Sequence, residues 1–182
     1  ELEFSKAHHL VLGYDWMIWE NLNFKVESYY QYLYNIPVEE TASAYSAINS
    51  GDSFAPDFTD SLVNNGTGYN YGLEFTLEKY FSDNYYFLAT TSFFNSRYKG
   101  SDEVERNTAY NQHYVINLLA GKELLVGKKR NALGLDIKFT TAGGKYLTPI
   151  DLEASDATGS AVYLDDLAYS EQQDPYLRLD AK

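Results

Sequence analysis

Leu133-Gly134-Leu135-Asp136-Ile137-Lys138-Phe139-Thr140 decides the fold class. Apolar residues at 133, 135, 137 and 139 alternate with Gly134, Asp136, Lys138 and Thr140. A period of two suits a strand with one dry and one wet face, and no helix. Outward from there the pattern recurs. Tyr71, Leu73, Phe75 and Leu77 alternate with Asn70, Gly72, Glu74, Thr76 and Glu78. Leu10, Leu12, Tyr14, Trp16 and Ile18 oppose His9, Val11, Gly13, Asp15 and Met17. Phe24, Val26, Ser28, Tyr30 and Tyr32 oppose Lys25, Glu27, Tyr29 and Gln31, and Ile116, Leu118 and Ala120 oppose Asn117, Leu119 and Gly121. Residues 85–97 are aromatic on both faces, which leaves their register open. Strands are expected over 8–19, 23–35, 69–81, 84–97, 112–125 and 130–142, with a seventh starting near Tyr176.

The connections alternate in length. Glu20-Asn21-Leu22, Ser82-Asp83 and Val126-Gly127-Lys128-Lys129 are tight, whereas 36–68, 98–111 and 143–175 are long, polar and rich in Gly, Ser, Asp and Asn. Repeated loops of that length are out of place in a compact soluble domain. They are expected of an outer-membrane barrel, with short periplasmic turns and long outer loops. Strand length agrees: a spanning strand needs about 9–11 residues, while strands of globular proteins run nearer about 5–6. The three long loops hold five, three and seven acidic residues, against only Lys99, Arg106 and Lys145, and Lys128, Lys129 and Arg130 gather at a tight turn. The plainer account of that bias is solvated loops that happen to be acidic.

Composition points the same way. The 182 residues carry a net charge of -12, no cysteine, 18 tyrosines and 10 phenylalanines, with a mean hydropathy of -0.41. So much tyrosine asks for many side chains with one dry end and one wet end, as at membrane–water interfaces and glycan-binding surfaces. No apolar run approaches the roughly 18–20 residues of a spanning helix, but barrel strands hide their lipid face in alternation. The acidic balance argues against nucleic acid, which requires clustered Lys and Arg. Without cysteine there are no disulfides, thiol nucleophiles or zinc–thiolate sites.

Three stretches resemble TonB-dependent outer-membrane receptors of the Bacteroidetes type. They are Asn64-Asn65-Gly66-Thr67-Gly68-Tyr69-Asn70-Tyr71-Gly72-Leu73-Glu74-Phe75-Thr76-Leu77-Glu78-Lys79, Tyr29-Tyr30-Gln31-Tyr32-Leu33-Tyr34-Asn35-Ile36-Pro37 and Ala142-Gly143-Gly144-Lys145-Tyr146-Leu147-Thr148-Pro149. The resemblance runs along nearly the whole chain in order. It implies a 22-stranded barrel filled by an N-terminal plug, taking up a scarce nutrient (glycan, peptide or metal chelate) with energy delivered by the TonB complex through that plug. A surface lipoprotein partner is compatible with it. Residues 1–182 are then expected to be a partial transmembrane β-barrel domain, all-β and antiparallel up-and-down, of about seven strands. The family's plug, TonB box and signal peptide are missing from the sequence, and Pro175-Tyr176-Leu177-Arg178-Leu179-Asp180-Ala181-Lys182 lacks the terminal aromatic that closes such barrels. The expected partners are outer-membrane lipid and the rest of a receptor chain.

No catalytic constellation stands out, and neither cofactor nor enzyme activity is expected. His8 and His9 are adjacent and so point to opposite faces of a strand, which prevents them from chelating one metal together. Gly66-x-Gly68-x-x-x-Gly72 precedes a strand and not the helix a phosphate-binding loop requires. Asp165-Asp166 and the group Asp52, Asp57, Asp60 offer oxygens for Ca²⁺ but lack the Asp-x-Asp-x-Asp-Gly ladder. Aromatics at strand ends (Trp16, Trp19, Tyr29, Tyr30, Tyr32, Tyr34, Tyr80, Phe81, Tyr85, Tyr86) read as interfacial girdles. Substrate contact falls instead to Tyr45, Tyr98, Tyr110, Tyr146, Tyr163 and Tyr169, with Arg97 and Arg106; loop tyrosines that merely pack the loops together are the alternative. Glu74, Glu78, Asp136 and Lys138 are expected to face the lumen, as is Glu123. Two other functions compete: a soluble all-β carbohydrate-binding module, with shorter strands and more regular turns, and an outer-membrane enzyme with paired luminal acids.

Overall fold

The computed structural model describes residues 2–51, 61–128 and 131–182. Ten strands follow in chain order: β1 (Lys6–Trp19), β2 (Leu22–Glu39), β3 (Leu62–Ser82), β4 (Tyr85–Lys99), β5 (Glu105–Asn107), β6 (Tyr114–Val126), β7 (Asn131–Ala142), β8 (Tyr146–Leu147), β9 (Glu171–Gln172) and β10 (Tyr176–Ala181). One sheet takes the order β1-β2-β3-β4-β6-β7-β10, with β5 hydrogen-bonded beside the far end of β4, and every pairing in it is antiparallel. The long strands thus pair in the order in which they occur in the sequence, with β5 beside β4 and β8–β9 as a separate pair. The chain is all-β and antiparallel, as the alternation requires.

Partners across an antiparallel ladder share a face, so the register can be followed strand to strand. Trp16 pairs with Phe24, Phe24 with Leu77, Leu77 with Ala89, Ala89 with Leu118, Leu118 with Phe139 and Phe139 with Leu179. That row and its neighbours make one apolar face across all seven strands. On the opposite face Lys25 pairs with Thr76, Thr76 with Thr90, Thr90 with Asn117, Asn117 with Thr140 and Thr140 with Arg178. Glu74, Glu78, Glu123, Asp136 and Lys138 all stand on this polar face. The open register of 85–97 resolves with Phe87, Ala89, Thr91 and Phe93 on the apolar side and Leu88, Thr90, Ser92 and Phe94 on the polar side.

No element covers the apolar face among the described residues, and Leu10 and Leu12 stay 72% and 75% exposed. The sheet is also open, because β1 and β10 have one neighbour each. Among the described residues the sheet does not close into a barrel.

Two differences from the sequence reading have local causes. First, β2 and β3 reach further into the first long connection than expected, pairing Val38 with Val63 and Glu39 with Leu62 across bulges near Ile36. Alternation breaks at a bulge, which hides the continuation from a period-two search. Second, the connection 143–175 is not structureless. It holds the β8–β9 ladder and a short helix α1 (Leu152–Thr158). Asp151 caps that helix, accepting from the Ala154 N–H at 3.0 Å, and Gly159 closes it at φ 68°, donating to the Ser155 carbonyl.

Candidate functional site

Antiparallel connectivity puts the three long connections at one end of the sheet and the tight turns at the other. At the loop end the second loop folds back beside β4. The Phe94 N–H donates to the His113 carbonyl and the Thr108 N–H to the Ser96 carbonyl, so residues 100–113 lie back against β4. Asn111 fastens them. Fully buried, it accepts from the Ser96 N–H at 2.9 Å and donates to the Asn95 and Asn107 side-chain oxygens, both at 2.8 Å. Ser96 also accepts from Thr108 and donates to Asn70, which in turn donates to Gln31. One polar chain therefore ties β2, β3 and β4 to the second loop, as a buried amide must be satisfied to be tolerated.

Tyr98 binds the first loop to this layer. It is 1% exposed, its hydroxyl donates to the Ala44 carbonyl at 2.9 Å, and its ring meets Tyr169 of the third loop edge-on at 5.9 Å. Gly100 lies so close that a β-carbon there would collide with the Ser43 carbonyl oxygen; only glycine lets the two loops touch. The second loop is internally clamped by Arg106, whose guanidinium donates to both Asp102 carboxylate oxygens at 2.9 and 2.6 Å. Burial pulls the Asp102 carboxyl upward, but the Arg106 guanidinium and the Val104 N–H outweigh it and hold the carboxyl below its ordinary value. Arg106 is raised correspondingly, chiefly by its hydrogen bonds to Asp102. A further link joins the second and third loops: the His113 Nε2 and Tyr146 hydroxyl are 3.0 Å apart.

Between the first and third loops this packing leaves a cleft of about 630 Å³. Glu39, Ser43, Ala44 and Tyr45 form one wall; Leu147, Thr148, Ile150, Tyr163, Asp165 and Tyr169 form the other. The volume falls within the range of small-molecule sites, about 300–1,000 Å³.

The expected contact residues divide sharply. Tyr45, Tyr163 and Tyr169 line the cleft. Tyr98 stands behind Tyr169 as a buried support, which favours the packing role for it. Arg106 is consumed by Asp102 and buried. Arg97, adjacent in sequence to Tyr98, projects from the other face of β4 beside Tyr69 and donates to Asn95 at 3.3 Å. Tyr110 lies under Lys145, its ring centre 5.8 Å from the ammonium, and Tyr146 engages His113; neither lines the cleft. Asp165 does line it, whereas Asp52, Asp57 and Asp60 lie outside the described residues. Among the described residues no group of three or more His, Asp or Glu is placed to hold a metal.

Glu39, Thr148 and the buried Asn111 escape sequence reasoning. Each is a common polar residue in a polar stretch, and only the meeting of distant loops gives it a role. Comparison with protein-family profiles and with curated proteins finds no similar sequence.

Proposed function

We propose that this chain is a stretch of the wall of a transmembrane β-barrel in a bacterial outer membrane, belonging to a TonB-dependent receptor, with its long loops outside contributing to nutrient capture. The observation that carries the reading is the one-sided, uncovered apolar face. Seven strands at about 4.8 Å spacing, presenting a band some 30 Å tall, give an apolar area on the order of 1,000 Å². Monomeric soluble proteins rarely expose a contiguous patch above a few hundred Å². The distribution of residues within the face supports lipid as its cover. Leu12, Val26, Leu73 and Ile116 share the middle with Tyr14, Phe75 and Phe93, while Tyr30, Tyr32, Tyr69 and Tyr71 stand toward the loop end and Trp16, Phe24 and Tyr85 toward the turn end. The opposite face, with Glu74, Glu78, Asp136 and Lys138, would then line the lumen. Unpaired backbone at β1 and β10 is costly in lipid, so both edges would be completed by further strands of the receptor, with a plug inside and the TonB complex beneath.

Spin labels at positions 137 and 134 of the membrane-reconstituted protein test this. Ile137 is on the apolar face near the middle of β7, and Gly134 is on the polar face with open space around it. Position 137 should be relaxed by lipid-dissolved oxygen and position 134 by a water-soluble nickel chelate. Protein-packed labels at 137, screened from both reagents, would favour the soluble β-sandwich and defeat the membrane reading.

A further inference from the structure

We infer that the loop cleft takes a cationic ligand, a short peptide bearing Lys or Arg side chains; the inference rests on the receptor reading above and gives it a substrate class. The ionisable carboxylates in the cleft are Glu39 and Asp165, one on each wall. Neither carboxylate has an ion-pair or hydrogen-bond partner among the described residues. The Arg106 guanidinium of the loop layer is paired with Asp102, donating to both of its carboxylate oxygens. Among the described residues no Lys or Arg lines the cleft.

An anionic ligand, such as a ferric carboxylate chelate, would meet two carboxylates with no compensating cation. A neutral oligosaccharide would find hydrogen-bond acceptors, but ionised acceptors pair most strongly with ionised donors. Its approach would also gain nothing from a chain charge of -12, whereas a cation is drawn inward by that field. The rest of the lining suits a basic side chain. Tyr45, Tyr163 and Tyr169 supply ring faces for an ammonium or guanidinium, and Leu147 and Ile150 supply apolar surface for its aliphatic stem. With one carboxylate on each wall, the cleft offers two acceptors to the basic groups of one peptide.

The test is calorimetric titration of the detergent-solubilised full receptor with trilysine, maltotriose and ferric citrate, repeated on the double variant E39Q/D165N. Trilysine should bind, weaken as salt is raised, and lose about tenfold in affinity in the variant, the sum of two partly exposed ion pairs. Maltotriose or ferric citrate binding as tightly as trilysine would overturn the ligand class, as would trilysine affinity unchanged by E39Q/D165N. Tryptophan fluorescence and heat-induced mobility shifts of the variant verify that it is folded. The two proposals fail separately. Lipid contact at position 137 with no variant-sensitive trilysine binding removes the ligand class and leaves the barrel; variant-sensitive binding without lipid contact does the reverse.

Discussion

Lys79 places its ammonium 3.8 Å above the centre of the Tyr85 ring, at the turn end of the apolar face. Lysine is the wrong residue for an apolar face unless its charge is satisfied. Here the ammonium donates to the Tyr80, Ser82 and Tyr85 carbonyls at 3.4, 3.1 and 3.4 Å and to the Ser82 hydroxyl at 2.5 Å. The stem lies along the sheet while the head reaches the turn, which is how a long cationic side chain is accommodated beside a membrane interface. Hydrogen bonds from a charged donor are worth about 1.5–3 kcal/mol. K79M keeps the stem and removes the head, and should lower the unfolding free energy by an amount in that range and the midpoint with it. An unchanged midpoint in denaturant titration would mean that the turn does not depend on Lys79.

Depth along β7 sets a second expectation. On the proposed barrel reading, I137R introduces a charge near the middle of the lipid-facing side, where the cost is about 2–4 kcal/mol. L135R lies two residues nearer the turn, paired with Lys122, which already carries a charge on that face. The yield of folded, protease-resistant protein in outer membranes should fall in the order wild type, L135R, I137R. D136N, on the polar face, should assemble normally. Equal yields for the two arginine variants would contradict the placement of the band.

Glycines on the polar face are not equivalent. A β-carbon at Gly121 would collide with the Tyr86 ring and the Asp136 carboxylate, and Tyr86 donates to that carboxylate at 2.7 Å. G121A should therefore displace Tyr86 and destabilise the β4–β6–β7 region. At Gly134 nothing lies within 4 Å, so G134A should be neutral or slightly stabilising, because alanine restricts the unfolded chain. Thermal midpoints of the two variants, measured side by side, should move in different directions or by clearly different amounts.

Asn111 controls the docking of the second loop. N111A leaves the Ser96 N–H without its 2.9 Å acceptor and the Asn95 and Asn107 oxygens without their donor. An orphaned buried group costs about 1–3 kcal/mol. Limited proteolysis should cut residues 100–113 much faster in N111A than in wild type, while the strands stay intact. Equal cleavage rates would show that the loop is held elsewhere.

The Asp102–Arg106 clamp is sensitive to acid. The folded Asp102 carboxyl sits below its ordinary value, with burial opposing the shift and Arg106 and the Val104 N–H producing it. Its stabilisation is thus fully present above the ordinary carboxylate range and is lost as pH falls through the depressed value. Protease resistance of residues 100–113 should decline on acidification below that range. D102N should start lower and show a smaller decline; an identical pH profile in D102N would assign the acid response to other carboxylates.

The fold of the sheet was determined by the sequence itself. Side chains of an extended chain alternate, so Leu133 through Thr140 declare their faces without reference to any other residue, and tight turns such as Ser82-Asp83 leave adjacent strands little choice but to pair. Even the sidedness of Glu74 and Asp136 followed from counting in twos. What only the tertiary structure decided is the loop layer. Nothing local to Asn111 distinguishes it from Asn107 or Asn95; it is buried because residues 100–113 fold back onto β4. Tyr98 and Tyr163 read alike as loop-region tyrosines, yet one is a buried support and the other 55% exposed on a cleft wall. Glu39 and Asp165 are separated by most of the chain and come to line one cleft where Tyr98 joins Ala44 to Tyr169. Alternation is a property of neighbouring residues, while convergence of loops depends on hydrogen bonds and ring contacts between residues distant in sequence, for which no local period exists.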